Sequence, residues 1–500
     1  MLKSLLLQTL FIGIINSTFS QETRRNNNWV LGYGPLIQFN FDNSLSLSKV
    51  TDSALLFESS NISDTSGELL FLSTGFVLAD SDAHLILNGE NINCPYGNIL
   101  SDAYGGGGKS PQTSLILPKK GNTYYVFSTG MSDSLASILI NNAVYLGYDV
   151  LNYSVVDMDS NGGQGKVTEK NKIILDNQRY ATCALTACRH GNGKDWWLVK
   201  ADCWKHQYQI FQVTADTIVG PFYYTIPDTA NYCSDYCEIY FSDDGSKFAS
   251  NIYRQINSTS GLGLYNRVDV YDFDRCIGQF TYRNHYEVPN DTTTYPYEDG
   301  VTGISFSPNS KLLYMMNLYS VYQIDINDTN RFNGIFIHGP DDSISAFPLY
   351  YISKCAPDNK LYIGNFNGTR NTMSYIDSPN VRGLGCTFVP KGLTQSFNNN
   401  LLWPPNMPNY GLGMAPVGGN CWPLAIEQLD NESIRQLEVY PNPANDRFFI
   451  KTESKKEREL YNSIGQLLLT TFKNEIDVSE MARGIYYLKV GNAVKKVVIE

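Results

Sequence analysis

Between Trp29 and Val417 one pattern returns: a polar turn, then a short aromatic or aliphatic run. Its clearest copies are Phe241-Ser242-Asp243-Asp244-Gly245-Ser246-Lys247-Phe248, Phe306-Ser307-Pro308-Asn309-Ser310-Lys311-Leu312 and Cys355-Ala356-Pro357-Asp358-Asn359-Lys360-Leu361. Asp, Asn, Pro and Gly favour reversal there, by side-chain hydrogen bonds to the backbone or by a preset φ, and alternating residues then enter a sheet. Weaker copies run from Asp64 to Phe71, Pro118 to Val126 and His190 to Leu198. The runs that follow the six turns start at 69, 124, 196, 248, 312 and 361, a mean step of about 58 residues, longer than the regular propeller repeats. That spacing predicts an irregular β-propeller with long loops over residues 21–417, of about seven blades, with six or eight also fitting. The strand Val30 to Phe41 lacks a blade of its own and so does Tyr410 to Val417. Pairing the two would close the ring and remove its exposed sheet edges.

Composition agrees with an all-β chain. The 500 residues are 42% hydrophobic and only 17% charged, which excludes disorder as the main state, and Tyr 34, Phe 24 and Trp 6 favour strands over helix bundles. A net charge of −11 excludes a generic nucleic-acid binder, which needs a basic face for phosphates. The charge is uneven. From Asp430 to Glu500, 22 of 71 residues are charged, against 65 of 429 before, and the change places a linker at 418–436, where Gly418-Gly419-Asn420 and Pro423 carry turn chemistry.

The N-terminus has the order of a signal peptide over residues 1–20: a cation at Lys3, an apolar run from Leu5 to Ile15, then Thr18 and Ser20 before Gln21. The run is too short to span a membrane, which takes about twenty residues, and no later run comes close. Export makes disulfides the expected state of Cys94, Cys183, Cys188, Cys203, Cys233, Cys237, Cys276, Cys355, Cys386 and Cys421, and the Cys183/Cys188 and Cys233/Cys237 spacings invite local bridges. A zinc site is disfavoured because no CxxC pair exists.

Past the linker, short strand-like runs cover Leu437 to Tyr440, Arg447 to Thr452, Arg458 to Tyr461, Gln466 to Phe472, Gly484 to Val490 and Val494 to Ile499, the pattern of a small β-sandwich at 437–500. Val439-Tyr440-Pro441-Asn442-Pro443-Ala444, Leu460-Tyr461-Asn462-Ser463-Ile464-Gly465-Gln466, Gly484-Ile485-Tyr486-Tyr487-Leu488-Lys489-Val490 and the basic-apolar end Lys495 to Ile499 resemble, in order, the C-terminal sorting domain of type IX secretion substrates. The resemblance implies export across the outer membrane of a Bacteroidota-type bacterium, then release or surface attachment. It makes the secretion machinery a partner and Tyr440, Pro441, Asn442, Pro443, Ala444, Gly465, Gln466, Gly484 and Tyr486 the sorting motif. The turn copies resemble those of tricorn-like and WD-repeat-like propellers, and the stretches around Ser63 to Phe71, Ser114 to Phe127 and Gly193 to Val199 resemble an uncharacterised propeller-like family that precedes such tails. These imply architecture and no chemistry.

Four motifs carry residue types used in chemistry. Ala103-Tyr104-Gly105-Gly106-Gly107-Gly108-Lys109-Ser110 fits a permissive phosphate loop, but Pro111 removes a backbone donor where phosphate would sit, so a surface loop is the better reading. Asp157-Met158-Asp159-Ser160-Asn161-Gly162 copies half of a calcium loop, but position 168 is Thr168 where a bidentate Glu belongs, so a turn between blade strands is the better reading and a weak non-helical calcium site the alternative. Asp243-Asp244 and Asp341-Asp342 are adjacent carboxylates of the kind usually solvated in turns, and no Gly-x-Ser-x-Gly exists. Trp196, Trp197, Trp204 and Tyr208 are dense enough for a glycan platform, although strand alternation sends at least one of the first two inward. No cofactor, metal or catalytic site is expected. The leading expectation is a secreted or surface-attached, non-enzymatic propeller that presents a loop-built face to protein or glycan. Its competitors are a secreted hydrolase or lyase acting in the propeller funnel and a matrix component.

Overall fold

The computed structural model describes residues 22–500 except 33, 41, 43, 51–59, 94–111, 143–147, 177–179, 181–182, 203–204, 227–237, 252–254, 259–260, 265–266, 288–300, 318, 332–333, 340–349, 366–370, 396–402, 417–420, 422–436, 453–455, 463–465 and 492. The signal peptide, the 103–110 loop, the 418–436 linker apart from Cys421, Cys94, Cys203, Trp204, Cys233, Cys237, Asp341, Asp342, Asn398 to Asn400 and Gly465 lie outside the described residues. The chain divides into two compact units, Met1–Arg275 with Phe280–Met414 and Cys276–Gln279 with Ala415–Glu500.

Among the described residues the first unit holds seven antiparallel meanders, each built from strands in chain order, with one hairpin inserted in the fifth. Blade 1 is β1 (Asn28–Val30), β2 (Pro35–Phe39) and β3 (Leu45–Lys49); blade 2 is β4 (Ser60–Ser63), β5 (Leu69–Ser73) and β6 (Leu78–Asp80). Blade 3 is β7 (Ser114–Pro118), β8 (Thr123–Gly130), β9 (Val150–Asp157) and β10 (Lys166–Leu175), with helix α1 (Asp133–Asn142) between β8 and β9. Blade 4 is β11 (Leu185–Arg189), β12 (Trp196–Asp202), β13 (Gln207–Val213) and β14 (Ile218–Thr225). Blade 5 is β15 (Ile239–Phe241), β16 (Lys247–Ser250), β19 (Arg267–Asp274) and β20 (Gln279–Glu287), interrupted by the hairpin β17 (Gln255–Ser258) and β18 (Gly261–Leu264). Blade 6 is β21 (Gly303–Phe306), β22 (Leu312–Met316), β23 (Val321–Asp325) and β24 (Ile335–His338). Blade 7 is β25 (Tyr350–Cys355), β26 (Leu361–Asn365), β27 (Thr372–Ile376) and β28 (Phe388–Thr394).

The first strand of each blade packs on the first strand of the next, from β1 through β4, β7, β11, β15 and β21 to β25, so these seven strands line the axis. The six repeated turns all join the first strand of a blade to its second. Five of them close by one hydrogen-bond pattern: Gly67 N–H donates to Asp64 O, Gly193 to His190 O, Gly245 to Ser242 O, Ser310 to Ser307 O and Asn359 to Ala356 O, and all five donors have positive φ. The turn before β8 likewise has Gly121 at φ 61°. Asp244 and Asn309 fix their turns with side-chain oxygens, taking the N–H of Ser246 at 2.9 Å and of Lys311 at 3.1 Å. The second strands begin at 69, 123, 196, 247, 312 and 361, within one residue of the expected starts.

Ring closure differs from the expectation. The described part of Val30 to Phe41, as far as Phe39, belongs to a three-stranded blade of its own, and residues 410–416 form no strand. The ring closes through side chains instead, with Trp29 edge-on to Tyr362 at 5.8 Å and Phe39 edge-on to the same ring at 5.8 Å. All three rings are buried in one apolar cluster that runs through blades 1 to 4 and 7.

The second unit carries two sheets, β29 (Glu438–Tyr440), β30 (Arg447–Lys451) and β33 (Glu475–Asp477) in one, and β32 (Leu467–Thr471), β31 (Arg458–Asn462), β34 (Gly484–Val490) and β35 (Ala493–Ile499) in the other. Phe448, Ile450, Leu460, Ile476, Leu488, Val490 and Val497 fill its core, as alternation in the strands requires. Only β33 was absent from the expected runs.

Candidate functional site

The loop after blade 7 runs along the propeller axis. Trp403 packs edge-on to Tyr351 at 5.5 Å, and the Asn406 amide donates to Ser114 O at 2.8 Å and Leu185 O at 3.0 Å, where β7 and β11 begin. Four residues on, Tyr410 is fully buried, its hydroxyl donating to Ile116 O at 2.6 Å while its carbonyl accepts from Arg189 at 2.7 Å, at the far end of β11. Asn409 donates to Asp243 O at 2.9 Å, and Arg275 donates to Gly413 O at 3.1 Å. A segment bonded to blades 3, 4 and 5 at successive levels can only lie between them, so residues 403–414 form an axial plug parallel to the inner strands. The N-terminal side seals it, with the Asn26 amide donating to Pro408 O at 3.4 Å and Glu22 pairing with both Arg25 and Arg189 at 3.1 Å.

Two turn glycines make room for the plug. At Gly245, with φ 68°, an added Cβ would lie 2.7 Å from Cys188 Sγ and 2.8 Å from Leu412; at Gly193, with φ 71°, it would lie 2.6 Å from Met414. Both the backbone conformation and the close approach demand glycine.

Beside the plug, at the C-terminal ends of the inner strands, lies an open cavity of about 430 Å³. Its walls come from the N-terminal segment (Arg24, Asn26, Asn27), β11, β15 with its turn (Tyr240 to Asp243), β25 with its turn (Lys354 to Pro357, Asn359), and Asn406 to Asn409 of the plug. Lys354 is buried and donates to the Tyr240 hydroxyl at 3.0 Å and to Met407 O; burial pushes its ammonium down to about 8, against the pull of Asp243. Asp243 is half-buried, and its carboxylate accepts no hydrogen bond from a described residue. Burial pushes it up to about 6, Lys354 opposing the rise and Asp244 adding to it. Glu238, just ahead of β15, is 1% exposed; one oxygen takes the Ile304 N–H at 2.9 Å, the other has no partner among the described residues, and burial pushes the acid up to about 8.

Asp243 and Asp244 therefore part company: Asp244 holds the turn as expected of a solvated pair, while Asp243 lines the cavity. Trp196 and Trp197 are both 1% exposed, which rules out a platform made of them. Trp196 lies under the Arg189 guanidinium at 4.1 Å and edge-on to Tyr410, and Trp197 stacks on His190 and donates to Arg275 O at 2.7 Å. Tyr208, fully buried, sits among Phe248, Tyr271 and Phe280. The Asp157 to Gly162 stretch is a turn between β9 and β10, with Asp157 accepting from Ser160 at 2.8 Å and Asp159 from Asn122 at 2.9 Å. A Cys183–Cys188 bridge does not form: Cys188 is a buried free thiol, pushed up to about 12 by burial, and Cys355 and Cys386 are free as well. The disulfide among the described residues joins Cys276 to Cys421, 145 residues apart. Lys354, Glu238 and the plug were not singled out in the sequence; a lysine inside the apolar run Tyr350-Tyr351-Ile352-Ser353-Lys354-Cys355 was the available signal.

In the second unit the proline motif clamps the last strand. The Asn442 side chain donates to Lys496 O at 2.7 Å and accepts from Val498 N at 2.8 Å, copying a backbone pair, and Ala444 bridges to Ile499. The Tyr486 hydroxyl donates to Ala482 O, and Gln466 exchanges two bonds with Asn462. Gly484 opens β34 opposite Ile499. Residues 438–500 match the model of the secretion system C-terminal sorting domain. The tail is a type IX sorting domain.

No curated protein matches the chain. Among solved structures it is similar to a putative 6-phosphogluconolactonase from Bacteroides uniformis, at 12% identity over 94% of this chain and 100% of that one, TM-score 0.37. It is also similar to PorZ, a surface component of the type IX secretion system of Porphyromonas gingivalis, at 8% identity over 95% and 69%, TM-score 0.28. A periplasmic gluconolactonase of Pseudomonas aeruginosa aligns at 10% identity over 76% and 97%, TM-score 0.34. Likeness this remote bears on neither ligand nor reaction.

Proposed function

We propose that the protein is a substrate of the type IX secretion system that works outside the cell, released or attached to the outer-membrane surface, as a non-enzymatic binding protein whose propeller face meets a glycan or a protein. Export follows from the sorting tail, with residues 1–20 removed on the way and Tyr440 to Ala444, Gly465, Gln466, Gly484 and Tyr486 forming the recognised domain. The observation that carries the binding role is the filled axis. Lys354, Arg189 and Arg275 spend hydrogen bonds on carbonyls of the plug, so they serve structure there rather than a reaction. One observation favours the second reading, a secreted hydrolase or lyase: Asp243 faces open space with a carboxyl near neutrality, the state a general acid needs.

Deleting residues 437–500 and assaying culture fluid and cell surface tests the export; unchanged delivery would sink it. Purified protein on a glycan and surface-protein array, with turnover measured alongside, tests the rest. Binding without turnover supports the first reading, and turnover lost in Asp243→Asn replaces it with the second.

A further inference from the structure

The cavity at the plug's end has a lining that narrows what can fill it. Asparagine side chains come from four separate parts of the chain: Asn26 and Asn27 ahead of β1, Asn40 after β2, Asn359 in the turn of blade 7, and Asn406 and Asn409 on the plug; Asn26, Asn406 and Asn409 already donate to backbone carbonyls. An amide both donates and accepts, and so does a hydroxyl. Among these groups stands the Asp243 carboxylate, half-buried, turned to the space and without a hydrogen bond from a described residue. A carboxylate with two unused oxygens beside several amides matches a row of neighbouring hydroxyls.

The same lining argues against other ligands. An apolar molecule would strip water from these amides and return no hydrogen bonds. A multiply charged anion would meet the Asp243 charge, and of the three cations in the wall, Arg24, Arg189 and Lys354, the last two already donate to the plug carbonyls of Tyr410 and Met407. A metal ion has one carboxylate to hold it, and no group of three His, Cys, Asp or Glu side chains converges among the described residues. A volume of about 430 Å³ falls in the range of small-ligand pockets and admits one or two pyranose rings.

We propose that this axial cavity is a saccharide site that takes a neutral, polyhydroxylated sugar of one or two rings, with Asp243 gripping adjacent hydroxyls and Asn359 closing over the rim. The inference rests on the binding reading above and gives that reading its ligand class. Asp243 is the anchor because a charged acceptor contributes more than a neutral one. Asn359 sits at φ 63° on the exposed lip of the cavity, where the turn fixes its backbone whatever its side chain does.

The test is calorimetric titration of the full chain with methyl glucoside, methyl galactoside, methyl mannoside, N-acetylglucosamine, cellobiose and lactose, with glucuronate and methylamine as charged probes. The expected result is saturable binding of at least one neutral sugar, weakened about tenfold or more in Asp243→Asn, which keeps size and removes charge. Asn359→Gly, which tolerates the positive φ, should weaken it several-fold with the melting temperature unchanged. Binding of only glucuronate or only methylamine, no binding by any neutral sugar, or a sugar affinity indifferent to Asp243→Asn each overturns the proposal. If the small sugars fail while the glycan and protein array still shows a partner, the saccharide site falls and the binding reading stands; if both fail, both fall.

Discussion

The plug makes a sharp prediction at Tyr410. Its ring is fully buried, edge-on to Trp196 at 5.8 Å, and its hydroxyl reaches Ile116 O at 2.6 Å. Truncating a buried aromatic ring to Ala costs about 3–5 kcal/mol, and loss of the hydroxyl adds about 1 kcal/mol, so Tyr410→Ala should cost about 5 kcal/mol. A unit of roughly 390 residues unfolds with about 0.8 kcal/mol/K of entropy, and the midpoint should fall by about 6 °C. Tyr410→Phe keeps the ring and should lose only about 1 °C. Scanning calorimetry of the full chain reads both shifts, and limited proteolysis should open a new cleavage within 403–414 in the Ala variant alone. A residue on a surface strap would cost under about 0.5 kcal/mol. A Tyr410→Ala midpoint within 1 °C of wild type, with no new cleavage, would refute the axial placement.

Gly245→Ala should cost several kcal/mol, because a Cβ there meets Cys188 and Leu412 under 3 Å in a positive-φ turn, and calorimetry should show a fall at least as large as that of Tyr410→Phe. Glu238 keeps its proton in the folded protein up to about pH 8, whereas the unfolded chain releases it near 4.5. Its contribution is therefore complete below about pH 4.5 and is lost as pH rises toward 8, at up to about 1.4 kcal/mol per pH unit. Glu238→Gln should remove that slope, and a stability gap to wild type that fails to move in the variant's favour from pH 5 to pH 8 would contradict it. Replacing Cys421 by Ser should lower the melting midpoint, since a closed loop of 145 residues is worth up to about 5 kcal/mol of chain entropy; an unchanged midpoint, with or without reductant, would deny the bond. Cys188 should resist iodoacetamide at pH 8 in the native protein and react after denaturation, because burial withholds the thiolate.

The repeat was legible because its chemistry is local. Gly67, Gly193, Gly245, Ser310 and Asn359 each close a turn onto a residue three positions back, and such bonds need only neighbouring residues. Blade 1 was misread because Leu31-Gly32-Tyr33-Gly34 lacks the Asp or Asn that marked the other turns, although Gly34 N–H closes it on Leu31 O in the same way. The plug was illegible for the opposite reason. Trp403-Pro404-Pro405-Asn406-Met407-Pro408-Asn409-Tyr410 has the prolines of a surface loop, and the groups that bury it, Ser114 and Ile116, lie nearly three hundred residues earlier. Trp403, Met407 and Tyr410, large side chains spaced along a proline-rich loop, were the trace it left. Asp243 needed tertiary contact as well, since adjacency to Asp244 says nothing about which carboxylate turns inward.

The composition of the plug follows from the kind of ring it fills. Each inner strand pairs with a second strand on one edge only, so its other edge presents carbonyls and amides to the axis. The inner strands also turn polar side chains inward, and Ser60 and Ser114 share a hydrogen bond at 2.8 Å between blades 2 and 3. A hydrophobic plug would bury those groups unpaired, at a cost of about 1–3 kcal/mol each. Asn406, Asn409 and Tyr410 instead send donors to Ser114, Leu185, Asp243 and Ile116 oxygens, and Arg189, Arg275 and Lys354 answer with donors to the plug's own carbonyls. The exchange uses carbonyls and donors from several blades at once, so the seated plug and the strands β7, β11, β15 and β25 hold one another in place. With no strand shared between the ring's ends among the described residues, the last segment of the propeller thereby does two things: it locks the blades together through the axis, and it forms one wall of the cavity where the Asp243 carboxylate accepts no hydrogen bond from a described residue.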